Sequence, residues 1–498
     1  MNTTARRARL TGPRGLFSQG GPYGLCAVIA FAIAGATVLG RLPELLVALV
    51  GIAMAVGIAR RPQRGILLAA AFLPLDGLRL PLGMEGSVAS WKEGLAIFTA
   101  VCAVLTAQKV ADRARPDWFW WLAALVAVAA VWFGIHQSKA AIWGLKLNFV
   151  YLTLAYAAWR CPLDRRDRDH FVSVLMGIGV LAAGFGVAQQ LIGHAGLHEL
   201  GYEYNSVLRF NGGFLRSVST FALPFSFGFF MMMVILICVP VALSDVTRWR
   251  NKWFLIISPL LVVGLLTSIV RTAMLGLVVG LLYIGIRRFR SVIAVLVPLG
   301  LIALFFVPGS SATKALSSDS TKARSANWTE NLDAVGEHPM GLGVGETGAA
   351  KARSYGQSME EQAAAFGVDL NQPDADVYTP ILGGNGVYQP DNYYFKTVIE
   401  LGVLGLWFLI RMLIGAVRES RWLERVPDRT DAAFGVGITA FLLAVVFSMF
   451  FATYLELFPV DAYFWLLLGV TAATVREYRR DPEPAVTDER AAVAGAAR

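Results

Sequence analysis

The feature that most restricts this chain is a recurrence of unbroken apolar stretches, most of them long enough to cross a hydrocarbon layer and joined by short polar turns. A helix rises 1.5 Å per residue, so roughly 17 to 25 apolar residues span a bilayer. Stretches of this kind run at about 23–40, 45–59, 65–75, 94–108, 118–135, 140–159, 171–192, 221–243, 253–268, 272–286, 291–307, 397–417, 433–451 and 458–475. They are continuous rather than alternating, which excludes a β-barrel. The expected fold is an all-α, polytopic transmembrane helix bundle of about fourteen spans with one large extracytoplasmic loop. The third stretch is short, and Pro74 to Pro81 reads as a broken or re-entrant segment that protein must bury.

The division of the chain follows: a cytoplasmic N-terminal tail at 1–22, transmembrane helices at 23–307, the loop at 308–395, transmembrane helices at 396–475, and a disordered cytoplasmic tail at 476–498. Orientation comes from charge. With the N-terminus inside, the connections that fall in the cytoplasm are Arg60–Arg64, Lys109–Arg115, Arg160–Arg168, Arg248–Lys252, Arg287–Arg290, Arg418–Arg425 and Arg476–Arg480, every one of them basic. The large loop carries eleven acids against five bases, as the outer side should. The formal charge of +9 therefore reports orientation and not a nucleic-acid partner. The stretch after Arg6, Arg7, Arg9 and Arg14 lacks a small-residue cleavage site and reads as the first retained span. Four cysteines lie in or beside apolar stretches and none in the loop, which argues against a structural disulfide.

Motifs of soluble enzymes, such as GxxxxGK[ST], HExxH, CxxC and GxSxG, are missing, so the candidates for chemistry are charged groups at the membrane surface. Arg271, in LTSIVRTAMLGL, sits between two apolar stretches, where a guanidinium is costly unless it snorkels or meets an anion. It could equally cap a tight helical hairpin. Arg209 and Arg216 flank the pair Gly212–Gly213, which would let a ligand approach the backbone or simply form an interfacial loop. Arg324 and Trp328 precede the glycine-rich EHPMGLGVGETG. Asp391 and Asn392 stand where the loop enters the span at Lys396. There partial desolvation can tune a carboxylate toward general-base work, although both residues are also good helix N-caps. Glu400, Glu456 and Asp461 are read as acidic partners of the arginines. The five histidines are scattered without ligand spacing, so neither a metal nor a cofactor is assigned.

In this order the pieces resemble the O-antigen ligase and Wzy polymerase superfamily of membrane glycosyltransferases, mainly over residues 200–475. Arg271 to Leu275 fits that family's RxxxL pattern, and Glu337-His338-Pro339 with Gly341 to Gly345 looks like its hPxxGxG stretch. Asn392 with Gly402 and Gly405 fits the closing motif of H-N/S/Q, nine residues, GxxG. The ligase branch has histidine where this chain has Asp391, and aspartate followed by asparagine looks more like the repeat-unit polymerases. The resemblance implies an enzyme of the bacterial cytoplasmic membrane, multi-pass with both termini cytoplasmic. It would move a glycan from undecaprenyl pyrophosphate to a sugar hydroxyl of another lipid-linked unit, with inversion and without a metal. Asp391 and Arg271 would be catalytic, and Arg209, Arg216, Arg324, Asn392 and Trp328 would bind substrate. Membrane lipid, a flippase and a chain-length regulator are the further partners implied. Two other readings stay open: a ligase or O-oligosaccharyltransferase using the same donor, and a lipid-linked glycan flippase or transporter.

Overall fold

The structure, a computed structural model, describes residues 42–83, 90–106, 115–202, 209–211, 214–288, 328–329, 331–355 and 390–480, with the backbone alone for 42–48 and 209–211. Two compact units divide the chain after Arg61. The first contributes one described helix, α1 (Leu42–Arg60). The second begins with α2 (Gln63–Phe72), which tightens into a 3-10 turn at Leu73–Arg79, followed by α3 (Trp91–Thr106), α4 (Phe119–His136), α5 (Lys139–Phe149), α6 (Leu152–Arg160) and α7 (Arg165–Glu199). A short hairpin, β1 (Arg209–Asn211) and β2 (Phe214–Arg216), leads to α8 (Pro224–Ser244), α9 (Trp249–Thr267) and α10 (Arg271–Arg287). After the loop helix α11 (Gly348–Tyr355) come α12 (Tyr393–Leu423), α13 (Arg429–Ser448) and α14 (Val460–Arg480).

Twelve of the fourteen predicted stretches coincide with these helices, while 23–40 and 291–307 lie outside the described residues. Seven helices are long and apolar enough to cross a membrane, α5 and α6 counting together as one. The count of fourteen is not established by this. The all-α expectation holds but for the small hairpin. The predicted broken segment is the 3-10 turn, with Leu73, Pro74, Asp76 and Gly77 all buried.

Burial sorts the second unit into centre and rim. α8 reads PFSFGFFMMMVILICVPVALS, apolar on every side, and 89% of its most apolar window is buried against 11% for α4. A helix with no polar face belongs in the middle. Its neighbours approach through small residues, as helices in lipid do when packing rather than water exclusion draws them together. A Cβ on Gly186 of α7 would lie 2.5 Å from the Phe227 ring, one on Gly280 of α10 2.5 Å from Leu236, and one on Gly437 of α13 2.8 Å from the Ile237 Cα.

Ion pairs hold one end of the helices together. Arg168 of α7 pairs with Asp431 of α13 at 2.8 Å and with Glu477 of α14 at 2.6 Å. Arg287 of α10 meets Glu424 beyond α12 at 3.0 Å, and Arg248 meets Asp169 at 2.7 Å. These residues come from connections that the charge pattern assigned to one side. The opposite connections, around Asp76, Ser138, Ser217, Thr347 and Glu456, contact one another at the other end.

Candidate functional site

Two arginine-bearing turns meet at this second end. β1 and β2 pair antiparallel with Arg209 opposite Arg216 and Asn211 opposite Phe214. Gly212 and Gly213 themselves, with the Arg209 side chain, lie outside what is described. From β2 the chain is stitched to the turn between α9 and α10: Ser217 N donates to Thr267 O at 3.0 Å and Arg216 Nε to Ser268 O at 3.3 Å, while the Arg216 guanidinium lies 4.8 Å from the centre of the Phe225 ring. Arg271 follows as the first residue of α10, exposed and without an ion pair among the described residues. Arg216 and Arg271 thus flank one turn.

Both turns hold a non-glycine residue in the left-handed region, Ile269 at φ 53° and Ser219 at φ 55°. For a β-branched residue this conformation costs about 1–2 kcal/mol, which persists only where surroundings enforce it. The enforcement is visible. Gln189 Oε1 accepts from Val218 N at 3.0 Å and Ser219 N at 2.7 Å, and Ser219 Oγ donates to Ala182 O at 2.6 Å. A Cβ on Gly228 would strike Ser268 Oγ at 2.8 Å, so α8 presses on the other turn.

The loop closes onto α12. Asn392 is the N-cap, its Oδ1 accepting from Tyr394 N at 2.8 Å and Phe395 N at 3.2 Å, and it is buried. The capping alternative therefore describes Asn392, while Asp391 beside it is exposed. Tyr393 N donates to Met449 O at 2.8 Å, and a Cβ on Gly276 of α10 would lie 2.9 Å from Ser448 Oγ. The elements that carry Asp391 and Arg271 thus flank the same end of α13. Trp328, 38% exposed, packs edge-on against Phe395 at 5.5 Å. Arg324 lies outside the described residues.

Sequence reasoning missed what lies below Asp391. Lys396, 2% exposed, pairs with Glu400 at 2.6 Å and Glu456 at 3.2 Å. Glu400 and Glu456 were read as partners of arginines, but a lysine holds them. An Arg would need a planar fork, and here one ammonium bridges two carboxylates at different heights. The Lys-x-x-x-Glu spacing at the head of an apolar helix was a usable signal. Glu400 Oε1 also accepts from Thr347 Oγ1 at 2.6 Å, tying the loop to the helix. At Glu456, between helices, burial raises the carboxyl above its usual range and Lys396 offsets part of that. The cavity beside Lys396, Asn148 and Tyr393 holds about 20 Å³, room for one water and not for a sugar.

α12 is broken at Gly402 (φ 72°, ψ −179°), and the glycine-rich turn docks into the break. Leu342 N donates to Ile399 O at 2.7 Å, Gly343 N to Glu400 O at 3.0 Å, and Val403 N to Pro339 O at 3.2 Å. Carbonyls freed by the missing helical turn are satisfied by the loop. The fit is close: a Cβ on Gly402 would lie 2.4 Å from Met340 O, and one on Gly341 2.7 Å from Glu400 O. The two motifs, far apart in sequence, are halves of one joint.

Residues 256–410 match the family model described as O-antigen ligase. Over this segment the chain is similar to the O-antigen ligase and Wzy superfamily. The matched segment runs from α9 through the broken α12 to Ile410, so it contains Arg271, the loop, Asp391 and Lys396. Arg209 and Arg216 lie before it. No curated protein matches the chain.

Within the matched segment the Gly402 joint is testable. Gly402→Ala would force a side chain into a conformation reserved for glycine and into Met340 O, and should destabilise the protein by about 3 kcal/mol. Thermal unfolding in detergent reads this. Gly177→Ala, where nothing lies within 4 Å of the added Cβ, is the comparison expected to change little.

Proposed function

We propose that the protein is a repeat-unit polymerase at the outer face of the bacterial cytoplasmic membrane, transferring a glycan from undecaprenyl pyrophosphate to a sugar hydroxyl of a second lipid-linked unit. The observation that carries this reading is the Arg216–Arg271 turn inside or beside the matched segment, with Arg271 exposed and free of any carboxylate partner among the described residues. A guanidinium kept unpaired at membrane depth suits a phosphate, which it can hold through two parallel donors. The basic connections at the opposite end support the outward placement of this turn.

In the reaction the anomeric C–O bond to the pyrophosphate breaks while the acceptor oxygen attacks from the opposite face, inverting the centre. Arg271 and Arg216 stabilise the charge that grows on the leaving pyrophosphate. Asp391 takes the acceptor's proton or orients its hydroxyl. Trp328 and the loop aromatics give sugars an apolar face.

Ligase activity is the second reading, favoured by the family description itself. It uses the same donor and differs in acceptor. Purified protein incubated with a lipid-linked repeat unit separates the readings: a ladder supports polymerase, one addition to another acceptor supports ligase, and translocation without either supports a flippase. Asp391→Asn should abolish ladder formation while the Asn392 cap of α12 is kept. Unaltered polymerisation by that variant would remove the base role.

A further inference from the structure

A second cluster at the same end is unused by this mechanism. α11 packs on α5, and its Arg353 lies 5.4 Å from the centre of the Trp143 ring. Lys146, one turn along α5, lies 5.0 Å from the same ring and pairs with Glu93 Oε1 of α3 at 2.9 Å. Arg353 makes no hydrogen bond or ion pair among the described residues, and Glu93 Oε2 is buried with no hydrogen-bond partner. Burial depresses the Arg353 guanidinium, with Glu456 and Glu93 opposing, but an arginine stays charged. A donor fork, an ammonium and an indole, with the buried and unpartnered Glu93 Oε2 beside them, therefore converge from three helices, and each of the four residues is partly exposed.

Such a set selects among ligands. A phosphate or pyrophosphate only accepts, and Glu93 would repel it. Each sugar hydroxyl both donates and accepts, and a sugar's C–H faces sit against an aromatic wall. Acids stand among the cations here: Glu93 is paired by Lys146 and the neighbouring Asp76 by Lys92 at 2.7 Å, and Arg353 lies in the field of Glu456 and Glu93. The Arg216–Arg271 turn has the reverse character, with donors and no described acid paired to Arg271.

We propose that Trp143, Arg353, Glu93 and Lys146 form a glycan subsite that binds an uncharged sugar ring of the lipid-linked repeat unit, apart from the arginines that take its pyrophosphate. It rests on the polymerase reading for its ligand. Arg353 would donate to adjacent ring hydroxyls, Glu93 Oε2 would accept from one, and α11 would link glycan occupancy to the loop.

The test uses the full-length protein in nanodiscs and the repeat-unit oligosaccharide released from its lipid, followed by saturation-transfer NMR. Wild type should bind it. Trp143→Ala and Arg353→Gln should each weaken binding about tenfold, with Trp143→Phe retaining most of it. Inorganic pyrophosphate should not compete. Binding unchanged in both variants, no binding by wild type, or full displacement by pyrophosphate each overturns the subsite. Ladder formation is scored separately. Glycan bound at Trp143 without elongation of the lipid-linked unit sinks the polymerase reading and leaves the subsite standing. Elongation with unchanged binding and activity in both variants does the opposite.

Discussion

Arg271→Lys should lower the initial rate of ladder formation about a hundredfold or more, since loss of one preorganised donor to a developing anion typically has that effect. Lysine keeps the charge but not the two-pronged geometry that pyrophosphate oxygens accept. The thermal midpoint should hardly move, because Arg271 is exposed and makes no ion pair among the described residues. The expectation is thus a catalytic loss without a folding loss. If the lysine variant polymerises at the wild-type rate, pyrophosphate is not bound at this turn.

The largest expected effect on stability is at Lys396. Lys396→Met leaves Glu400 and Glu456 facing each other with no cation between them, each only 3% exposed at its side chain. Removing one member of a buried ionic group typically costs about 3–5 kcal/mol. The protein should unfold at a clearly lower temperature in detergent and lose the loop's anchor through Thr347. Adding Glu400→Gln and Glu456→Gln to Lys396→Met should recover much of the loss, since the uncompensated charge is then gone. A single variant as stable as wild type would mean the carboxylates are already neutral and the lysine is dispensable.

Much of this architecture was legible because lipid imposes a simple rule. A chain with no water to satisfy its backbone must form helices, and the apolar stretches mark them, as for α8, α9 and α13. The sorting of Arg168, Arg248 and Arg287 to one end followed from charge alone. The O-antigen ligase resemblance was readable in RTAML, EHPMGLGVG and the glycines of α12, and at Gly341, Gly343, Gly345 and Gly402 a positive φ accounts for the residue. What stayed hidden depends on contacts across long sequence distances. Nothing near Glu456 says that it faces Lys396, sixty residues earlier in the chain, and nothing near Trp143 says that Arg353 lies against it. The division of labour between Asp391 and Asn392 needed the observed hydrogen bonds, since either residue can cap a helix. The hairpin that sets Arg209 opposite Arg216 had a signal in its glycine pair, but three-residue strands leave no alternation to read.

The joint at Gly402 has a consequence for how loops of this kind diverge. The glycine-rich turn is seated by main-chain donors and acceptors, which are the same whatever side chains surround them. Side chains elsewhere in the loop can therefore change while its root stays in register. A loop transplanted from a relative should keep its seat provided the graft preserves Gly341 and meets an α12 that is interrupted at the same depth.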